Sequence, residues 1–291
     1  ISATRDYAPA AAALALKPEL PALAHVIALG EPVEGAVAYK TLAECAGVVP
    51  DDLAPMPADP FLLLYTSGTS ASPKAVPLTY QAMLGNARLS VPEHRITATD
   101  IVLSAPPYTH LFGLYSFHLA LAAGASNLLL PVFTPPDLAK AIAQGRPTVL
   151  FTGPAHLAAM QKSGLLETTD LASIRLVICS GSACPPDLAR AVAAKLPNGR
   201  FTQLWGMTET QAGLYTRPDD PLEISATTAG RPSPGTEVRV VATDGAPRGP
   251  GEEGEFQVRG SLMFPGYFDN AEANAGAFAD DGWFRTGDLA I

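Results

Sequence analysis

The pattern of hydrophobic and polar positions changes near residue 227. Before that point, short apolar runs typical of buried strands alternate with amphipathic stretches typical of helices. Short apolar strands separated by helices indicate an α/β fold with a parallel sheet and helices on its faces. We therefore assign residues 1–226 to an α/β part. Its predicted strands are residues 61–65, 101–104, 127–132, 148–151 and 175–180.

One helix is predicted over residues 187–196, directly after two prolines and before Pro197. Leu188, Val192 and Leu196 lie four residues apart, so they share one face of this helix. The prolines fit its two ends, because proline is tolerated in a first turn and cannot continue a helix.

After residue 227 the period changes from helical to alternating. Residues 237–242 and 255–260 alternate as strands do, and residues 243–246 (TDGA) supply hairpin chemistry nearby. We therefore predict that residues 227–291 form a small, mainly β subdomain of the same core.

Composition excludes several classes of protein. The chain of 291 residues is 47% hydrophobic and 16% charged, which is typical of a folded globular protein. Its 19 basic and 28 acidic side chains give a net charge of −9, which argues against a nucleic-acid partner. A small anionic ligand would need local compensation from a loop, a lysine or a divalent cation.

The apolar stretches and the cysteines of the sequence indicate the cellular compartment of the protein. No run reaches the ~18 apolar residues that a membrane helix needs, and the closest stretch, residues 119–130, is broken by Gly124, Ser126 and Asn127. The alanine-rich start lacks the basic leader of a signal peptide. Cys45, Cys179 and Cys184 show neither a paired-thiol nor a zinc-ligand pattern, so we expect buried structural thiols in a cytoplasmic protein.

The first chemical motif is the segment YTSGTSASPK at residues 65–74. Hydroxyls and backbone N–H groups bind phosphate oxygens, and Lys74 supplies the missing positive charge. The spacing is not that of the common P-loop, and Pro73 and Pro77 prevent a helix from starting there. The alternative is a Ser/Thr-rich surface loop. The candidate phosphate ligands are Thr66, Ser67, Gly68, Thr69, Ser70 and Lys74.

The second motif is QLWGMTET at residues 203–210. Trp205 can stack on a planar base, Gly206 lets a ligand approach the backbone, and Thr208 can bond a phosphate. Glu209 offers the hard oxygen that Mg²⁺ prefers. Alternatively, Trp205 and Met207 are core residues and Glu209 caps a helix.

The third motif is WFRTGD at residues 283–288. Asp288 follows a glycine and could accept both hydroxyls of a ribose, a known use of carboxylates at nucleotide sites. An ordinary turn aspartate is the alternative.

Together and in this order, the three motifs resemble the AMP-forming adenylating superfamily: acyl-CoA synthetases, peptide-synthetase adenylation domains and firefly-type luciferases. The resemblance covers nearly the whole chain, with further matches at residues 110–113 (HLFG), 180–183 (SGSA), 230–232 (GRP) and 254–267. The sequence is most similar to the large N-terminal domain of an acyl-CoA synthetase.

The resemblance implies an acid–thiol ligase that uses ATP and Mg²⁺. A carboxylate attacks the α-phosphorus of ATP, giving an acyl-adenylate and pyrophosphate, and the thiol of coenzyme A then displaces AMP. The implied partners are therefore small molecules, without nucleic acid or a membrane span. The oligomeric state, a homodimer included, stays open.

The resemblance also implies a role for each matching residue. Residues 66–74 would hold the β- and γ-phosphates, Thr208 the α-phosphate and Asp288 the ribose. His110 would sit at the carboxylate entrance, although a core histidine is the alternative. Lys74, His110, Thr208 and Glu209 would be catalytic, with Glu209 binding Mg²⁺. The implied adenine and backbone contacts are Gly181, Ser182, Ala183, Trp205 (stacking), Gly206 and Met207.

An apolar acid (fatty, alicyclic or aryl) is expected. Leu111 and Phe112 follow His110, and Met207, Gly213 and Leu214 lie near the second motif. No carboxylate occurs between residues 101 and 130, where an amino-acid substrate would want one. A carrier-protein thiol as acceptor, and a non-catalytic nucleotide-binding module, stay open as alternatives. An ordinary P-loop NTPase is disfavoured by the two prolines.

Three departures from the family pattern matter. Alanine stands at positions 71 and 75 where glycine is usual, which predicts a stiffer loop, and Trp205 replaces the usual tyrosine. The start of the large domain and the small C-terminal lid domain with its catalytic lysine are not in this sequence. We therefore expect the 291-residue polypeptide by itself to bind nucleotide incompletely and not to complete the reaction.

Overall fold

The computed structural model describes residues 9–44, 47, 54–66 and 73–291. They fall into two compact units that divide between Ala54 and Pro55. In the first unit two short strands pair in parallel, and only Val26 and Ala28 are buried among its described residues. Its elements are α1 (Pro9–Leu16), a 3₁₀ turn (Lys17–Glu19), β1 (Ile27–Ala28), β2 (Val37–Ala38) and α2 (Tyr39–Ala43).

The second unit begins with an antiparallel pair, β3 (Pro60–Thr66) and β4 (Lys74–Thr79). Thr66 pairs with Lys74 at one end of this pair. Lys74 begins a strand rather than a helix, in agreement with the expectation from Pro73 and Pro77.

A larger sheet forms the centre of the second unit. Within the described residues it has seven strands in the order β11-β10-β9-β8-β7-β5-β6. The strands from β6 to β9 are parallel, and β10 and β11 are antiparallel. This confirms the predicted α/β class. The strands are β5 (Ile101–Ser104), β6 (Ser126–Leu128), β7 (Val149–Thr152), β8 (Leu176–Cys179), β9 (Arg200–Met207), β10 (Gln211–Tyr215) and β11 (Arg231–Pro232).

Hydrophobic cores cover both faces of this sheet. Val177 packs in one core with residues of the flanking helices, whereas its neighbours Leu176 and Ile178 pack in another. This alternation follows from the strand period of two. The helices of the second unit are α3 (Tyr80–His94), α4 (Leu111–Ala123), α5 (Pro135–Gly145), α6 (Pro154–Lys162), α7 (Leu165–Thr168), α8 (Pro186–Ala193), α9 (Leu222–Thr227) and α10 (Ala271–Ala277).

The predicted elements differ from the observed ones mainly at their ends. The helix predicted over 187–196 is α8, which ends at Ala193, and the residues predicted to share one face, Leu188, Val192 and Leu196, are all buried. The strand predicted over 127–132 is limited to β6, because this edge strand pairs with β5 over only three residues.

The last strands form a separate antiparallel sheet in the order β12-β13-β14. They are β12 (Thr236–Val241), β13 (Gly254–Gly260) and β14 (Phe284–Ala290). The predicted turn follows β12, where the amide of Gly245, at φ +83°, donates to the carbonyl of Ala242. Both predicted parts from Pro55 onward lie in the second unit. The boundary after residue 226 stays a prediction.

None of the helices in the described part of the chain is long and apolar enough to cross a bilayer.

Candidate active site

A cavity of about 1020 Å³ opens in the second unit. Three of its walls come from the ends of β8 and β9 and from the segment after β5, because the carboxyl ends of parallel strands meet at one edge of a sheet. β4, α10 and β14 supply further walls. The cavity brings together nine of the predicted site residues: Thr66, Lys74, His110, Gly181, Gly206, Met207, Thr208, Glu209 and Asp288.

Other predicted site residues lie elsewhere. Ser182 and Ala183 are exposed and do not line the cavity, although Gly181 beside them does. Trp205 does not line it either. The predicted phosphate ligands Ser67, Gly68, Thr69 and Ser70 lie outside the described residues, as do Ala71 and Cys45.

The turn between β9 and β10 presents Thr208 and Glu209 to the cavity. Its geometry is fixed locally: the amide of Met207 donates to the hydroxyl of Thr210 over 3.0 Å. A Cβ at Gly206 would lie 1.9 Å from the carbonyl oxygen of Gln211, so only glycine fits where the two strands approach. The sequence predicted a close approach at this glycine, and the approaching group is the protein's own backbone.

At one end of the cavity, which we call the Lys74 end, three side chains form a chain of contacts. Glu209 is only 5% exposed, and its Oε1 accepts a hydrogen bond of 2.9 Å from the hydroxyl of Tyr267. The Nζ of Lys74 lies 4.8 Å from the centroid of the same tyrosine ring. Burial, then the charge of Glu209 and the hydrogen bond to it, raise the pKa of Tyr267 above its ordinary value.

The Lys74 end offers oxygen ligands of the kind that Mg²⁺ takes. Glu209 contributes a carboxylate, and Thr66 and Thr208 contribute hydroxyls to the same cavity. Mg²⁺ usually binds through one or two carboxylates together with substrate phosphates. No cluster of three or more metal-ligating His, Cys, Asp or Glu side chains occurs among the described residues. One carboxylate beside hydroxyl-bearing side chains fits a cation that also takes phosphate oxygens as ligands.

Asp288 also lines the cavity, in the part that we call the Asp288 end, and its Oδ2 accepts a hydrogen bond of 2.8 Å from the indole N–H of Trp205. The Trp205 ring packs edge-on against Phe256, with centroids 4.9 Å apart. A Cβ at Gly213 would lie 2.8 Å from that ring. Trp205 thus faces away from its neighbour Leu204, which lines the cavity. Stacking of Trp205 on a base stays a prediction.

His110 lines the cavity and caps α4, because its Nδ1 accepts a hydrogen bond of 3.2 Å from the amide of Phe112. Desolvation lowers the pKa of His110, so the ring is neutral at pH 7 and able to accept this bond.

The wall beside His110 is apolar, as predicted, with Leu111, Phe112, Tyr115, Leu204 and Ala212 in the lining. Of the other residues expected near the acid, Met207 lines the cavity, whereas Gly213 and Leu214 do not. The reason is packing: Gly213 lies against the ring of Trp205, and Leu214 belongs to the core that contains this tryptophan.

Behind this wall lies a buried polar pair that no sequence motif predicts. The hydroxyl of Tyr115 and Nε2 of His94 are 3.1 Å apart, and His94 is fully buried. Burial and the nearby charge of Arg217 lower the pKa of His94 to about 3.

Cys179 and Cys184 are free and buried. Hydrogen bonding with Cys184, then burial, raises the pKa of the Cys179 thiol, so this group is unreactive. Neither sulfur lines the cavity. Ala75 lies in β4 without positive φ, so alanine causes no backbone strain at that position.

The similarity of the chain to known proteins shows the family to which it belongs. Residues 3–268 match the family described as AMP-binding enzyme. The chain belongs to this family, which confirms the resemblance that the three motifs carry.

Two curated relatives are each 36% identical to the chain. Indoleacetate–CoA ligase of Aromatoleum aromaticum aligns over 92% of this chain and 53% of its own length. Salicyl-AMP ligase / salicyl-S-ArCP synthetase of Mycobacterium tuberculosis aligns over 98% of this chain and 50% of its own length. The chain thus spans about half the length of these relatives.

Among solved structures, ATP-bound MatB from Rhodopseudomonas palustris superposes with a TM-score of 0.73 at 30% identity. The match covers 81% of this chain and 46% of that chain. The fold of the chain is therefore that of the N-terminal part of an adenylate-forming enzyme.

Proposed function

We propose that the complete protein containing this chain activates a carboxylic acid with ATP and transfers the acyl group to coenzyme A. The observation that carries the proposal is the single cavity shared by Lys74, Thr208, Glu209 and Asp288, next to an apolar wall. By the resemblance, these side chains would take the family's phosphate, magnesium and ribose positions. The relatives named above are ligases, which supports the same reaction class.

In the first step a carboxylate oxygen of the acid attacks the α-phosphorus of ATP. The bond from that phosphorus to the oxygen bridging to the β-phosphate breaks, and pyrophosphate leaves with the electron pair. No side chain is covalently modified, so the rate depends on positioning and on neutralising charge. Lys74 and Thr66 would bind the terminal phosphates, and Thr208 the α-phosphate.

Glu209 and Thr208 would hold Mg²⁺ together with the phosphates. When bound, the ion would neutralise part of the negative charge on the phosphate oxygens.

In the second step the thiol of coenzyme A attacks the acyl carbon. The thiol proton is lost, the bond from carbon to the phosphate oxygen breaks, and AMP leaves. The products of the whole reaction are acyl-CoA, AMP and pyrophosphate. The family's lid-domain lysine serves the first step, so we expect turnover only from the complete protein.

We infer that the acid is apolar, whether fatty, alicyclic or aryl. The lining side chains Leu111, Phe112, Tyr115 and Leu204 present hydrocarbon and ring surfaces to the cavity. His110, whose pKa is lowered by burial, lines the same cavity, which supports the proposal that it stands at the carboxylate entrance. The names of the two curated relatives refer to aromatic acids, which supports the aryl alternative.

A second candidate function is loading of a carrier-protein thiol instead of coenzyme A. It is favoured by the Mycobacterium tuberculosis relative, whose name includes a carrier-loading activity. The nucleotide half of the site would be the same in both cases. A non-catalytic nucleotide-binding module is the remaining alternative.

The test is pyrophosphate release by the complete protein with ATP and a panel of fatty, alicyclic and aryl acids. AMP formation is measured in parallel with and without coenzyme A. Acid-dependent pyrophosphate release supports acid activation, and stimulation of AMP formation by coenzyme A identifies the acceptor. Release without that stimulation, restored by a carrier protein, favours the second candidate. ATP binding with no release for any acid favours the non-catalytic module.

A further inference from the structure

We propose that Tyr267 is a positioning residue that holds Glu209 and Lys74 apart and orients both for a magnesium–nucleotide complex. The inference rests on the proposed function, since it assigns a task to a residue in the same cavity. Tyr267 lines the cavity but belongs to none of the three motifs that predicted the site.

Tyr267 makes two different contacts with its two partners. Its hydroxyl donates a hydrogen bond of 2.9 Å to Oε1 of Glu209. Its ring receives Lys74 on the face, with Nζ 4.8 Å from the centroid. A cation over an aromatic face is attracted by the negative charge of the ring's π-electrons.

The ring itself is held firmly. Tyr267 is 7% exposed and packs edge-on against Phe264, with centroids 5.0 Å apart. Its backbone exchanges two hydrogen bonds with the side chain of Asn274, of 2.7 and 2.9 Å. A side chain fixed at both backbone and ring can fix its partners in turn.

Tyr267 keeps the opposite charges of Lys74 and Glu209 from neutralising each other. Lys74 and Glu209, both within the described residues, form no ion pair with each other. The phenol occupies one carboxylate oxygen with a neutral donor, so Glu209 keeps its full negative charge for a cation. The ring holds the lysine without neutralising it, so the ammonium keeps its charge for phosphate oxygens.

The experiment uses the complete protein and measures ATP affinity by calorimetry over a range of Mg²⁺ concentrations and in EDTA. Tyr267→Phe removes the hydroxyl and retains the ring. We expect the Mg²⁺ concentration for half-maximal ATP binding to rise about tenfold, as for loss of a hydrogen bond to a charged group. ATP affinity in EDTA should change less than about twofold, because the ring still supports Lys74. Tyr267→Leu should weaken binding in EDTA as well.

Tyr215→Phe is the matched control. It removes another buried tyrosine hydroxyl, which donates to Ser90 over 3.2 Å outside the cavity lining. The Mg²⁺ dependence should stay unchanged in this variant. A shift of equal size in both variants overturns the proposal, because it would reflect a general loss of packing.

A double-mutant cycle provides a second readout. In a Glu209→Gln background, Tyr267→Phe should have little further effect on the Mg²⁺ dependence, because the hydroxyl acts through the carboxylate. Additive effects overturn the inference. Unaltered Mg²⁺ dependence in Tyr267→Phe, with intact ATP binding, overturns the role of Tyr267 alone. A wild-type protein that binds no ATP overturns the proposed function itself.

Discussion

The two ends of the cavity use hydrogen-bonded carboxylates in different surroundings. At the Lys74 end, Glu209 is buried and receives its hydrogen bond from a tyrosine that is fixed in a hydrophobic core. At the Asp288 end, the carboxylate lies in the exposed part of β14 and receives its bond from the indole of Trp205.

This difference determines how much binding or catalytic free energy we expect to be lost when a partner is removed at each end. Water competes poorly for a buried charged group, so loss of one partner there leaves an unsatisfied charge. An exposed carboxylate that loses a donor is solvated instead, and the loss is small. We therefore expect the Lys74 end to control catalysis and the Asp288 end to adjust affinity.

The largest effect is expected for Glu209→Gln in the complete protein. Removing the buried negative charge should lower acid-dependent pyrophosphate release by about 100-fold or more, as for loss of a charge-stabilising group in other active sites. The variant is compared with Glu237→Gln, which removes a surface carboxylate paired with Arg259. Full activity of Glu209→Gln with unaltered Mg²⁺ dependence would contradict the assigned role.

Lys74→Ala tests which part of the nucleotide binds at the Lys74 end of the cavity. The lysine is expected at the terminal phosphates, so its loss should weaken ATP binding by about tenfold and AMP binding hardly at all, in the range for a charge-assisted bond. Equilibrium titrations with both nucleotides check this, with the surface variant Lys140→Ala as the control. An equal loss for ATP and AMP would place the lysine near the α-phosphate or the nucleoside instead.

The buried His94 behind the apolar wall makes the free energy of unfolding depend on pH. Since the pKa of His94 is about 3 in the folded state and near 6.5 when unfolded, its contribution to stability is complete above pH 6.5 and declines as the pH falls toward 3. At pH 5 the loss should be about 2 kcal/mol relative to pH 7.5. Urea unfolding at the two pH values measures it, and His94→Phe should have the shallower pH dependence. An identical pH dependence in both proteins would rule out His94 as the source.

Trp205→Phe tests the exposed end. It retains a ring against Phe256 and removes the donor to Asp288, so AMP affinity should fall only about threefold, as for an exposed hydrogen bond. The ratio of affinities for AMP and 2′-deoxy-AMP should fall with it, which competition binding can measure. A loss as large as that of Glu209→Gln would remove the contrast between the two ends.

The smallest effect is expected for Cys179→Ala. Cys179 lies in the core and does not line the cavity, so its truncation costs stability through a small packing defect, whereas pyrophosphate release by the folded variant should stay within about twofold of wild type. If a thiol reagent inactivated the wild type but not this variant, the expectation would be wrong, because modification of Cys179 would then block the site.

The sequence predicted those site residues that follow a strand end or a turn. Gly181 follows β8, and Thr208 and Glu209 follow β9, so the topological rule for parallel sheets brings them to one edge. The local pattern also predicted α8 and two strands of the small sheet, β12 and β13. These features depend on neighbours along the chain, which a sequence displays directly.

Contacts between distant positions could not be predicted in this way. Tyr267 is 58 residues from Glu209, and Trp205 is 83 residues from Asp288. The side on which Trp205 projects depends on the register of β9 and on packing with Phe256, a residue of the other sheet. The sequence suggested an aromatic face for a base, whereas tertiary packing directs the indole N–H to a carboxylate.

The indole of Trp205 is also an intrinsic fluorescent probe. The chain has two tryptophans. Trp283 lies under the guanidinium groups of Arg239 and Arg259, each 4.6 Å from the centroid of its ring. The emission of Trp205 responds to the electric field of the carboxylate that it touches, so arrival of a sugar at Asp288 would be readable without any label.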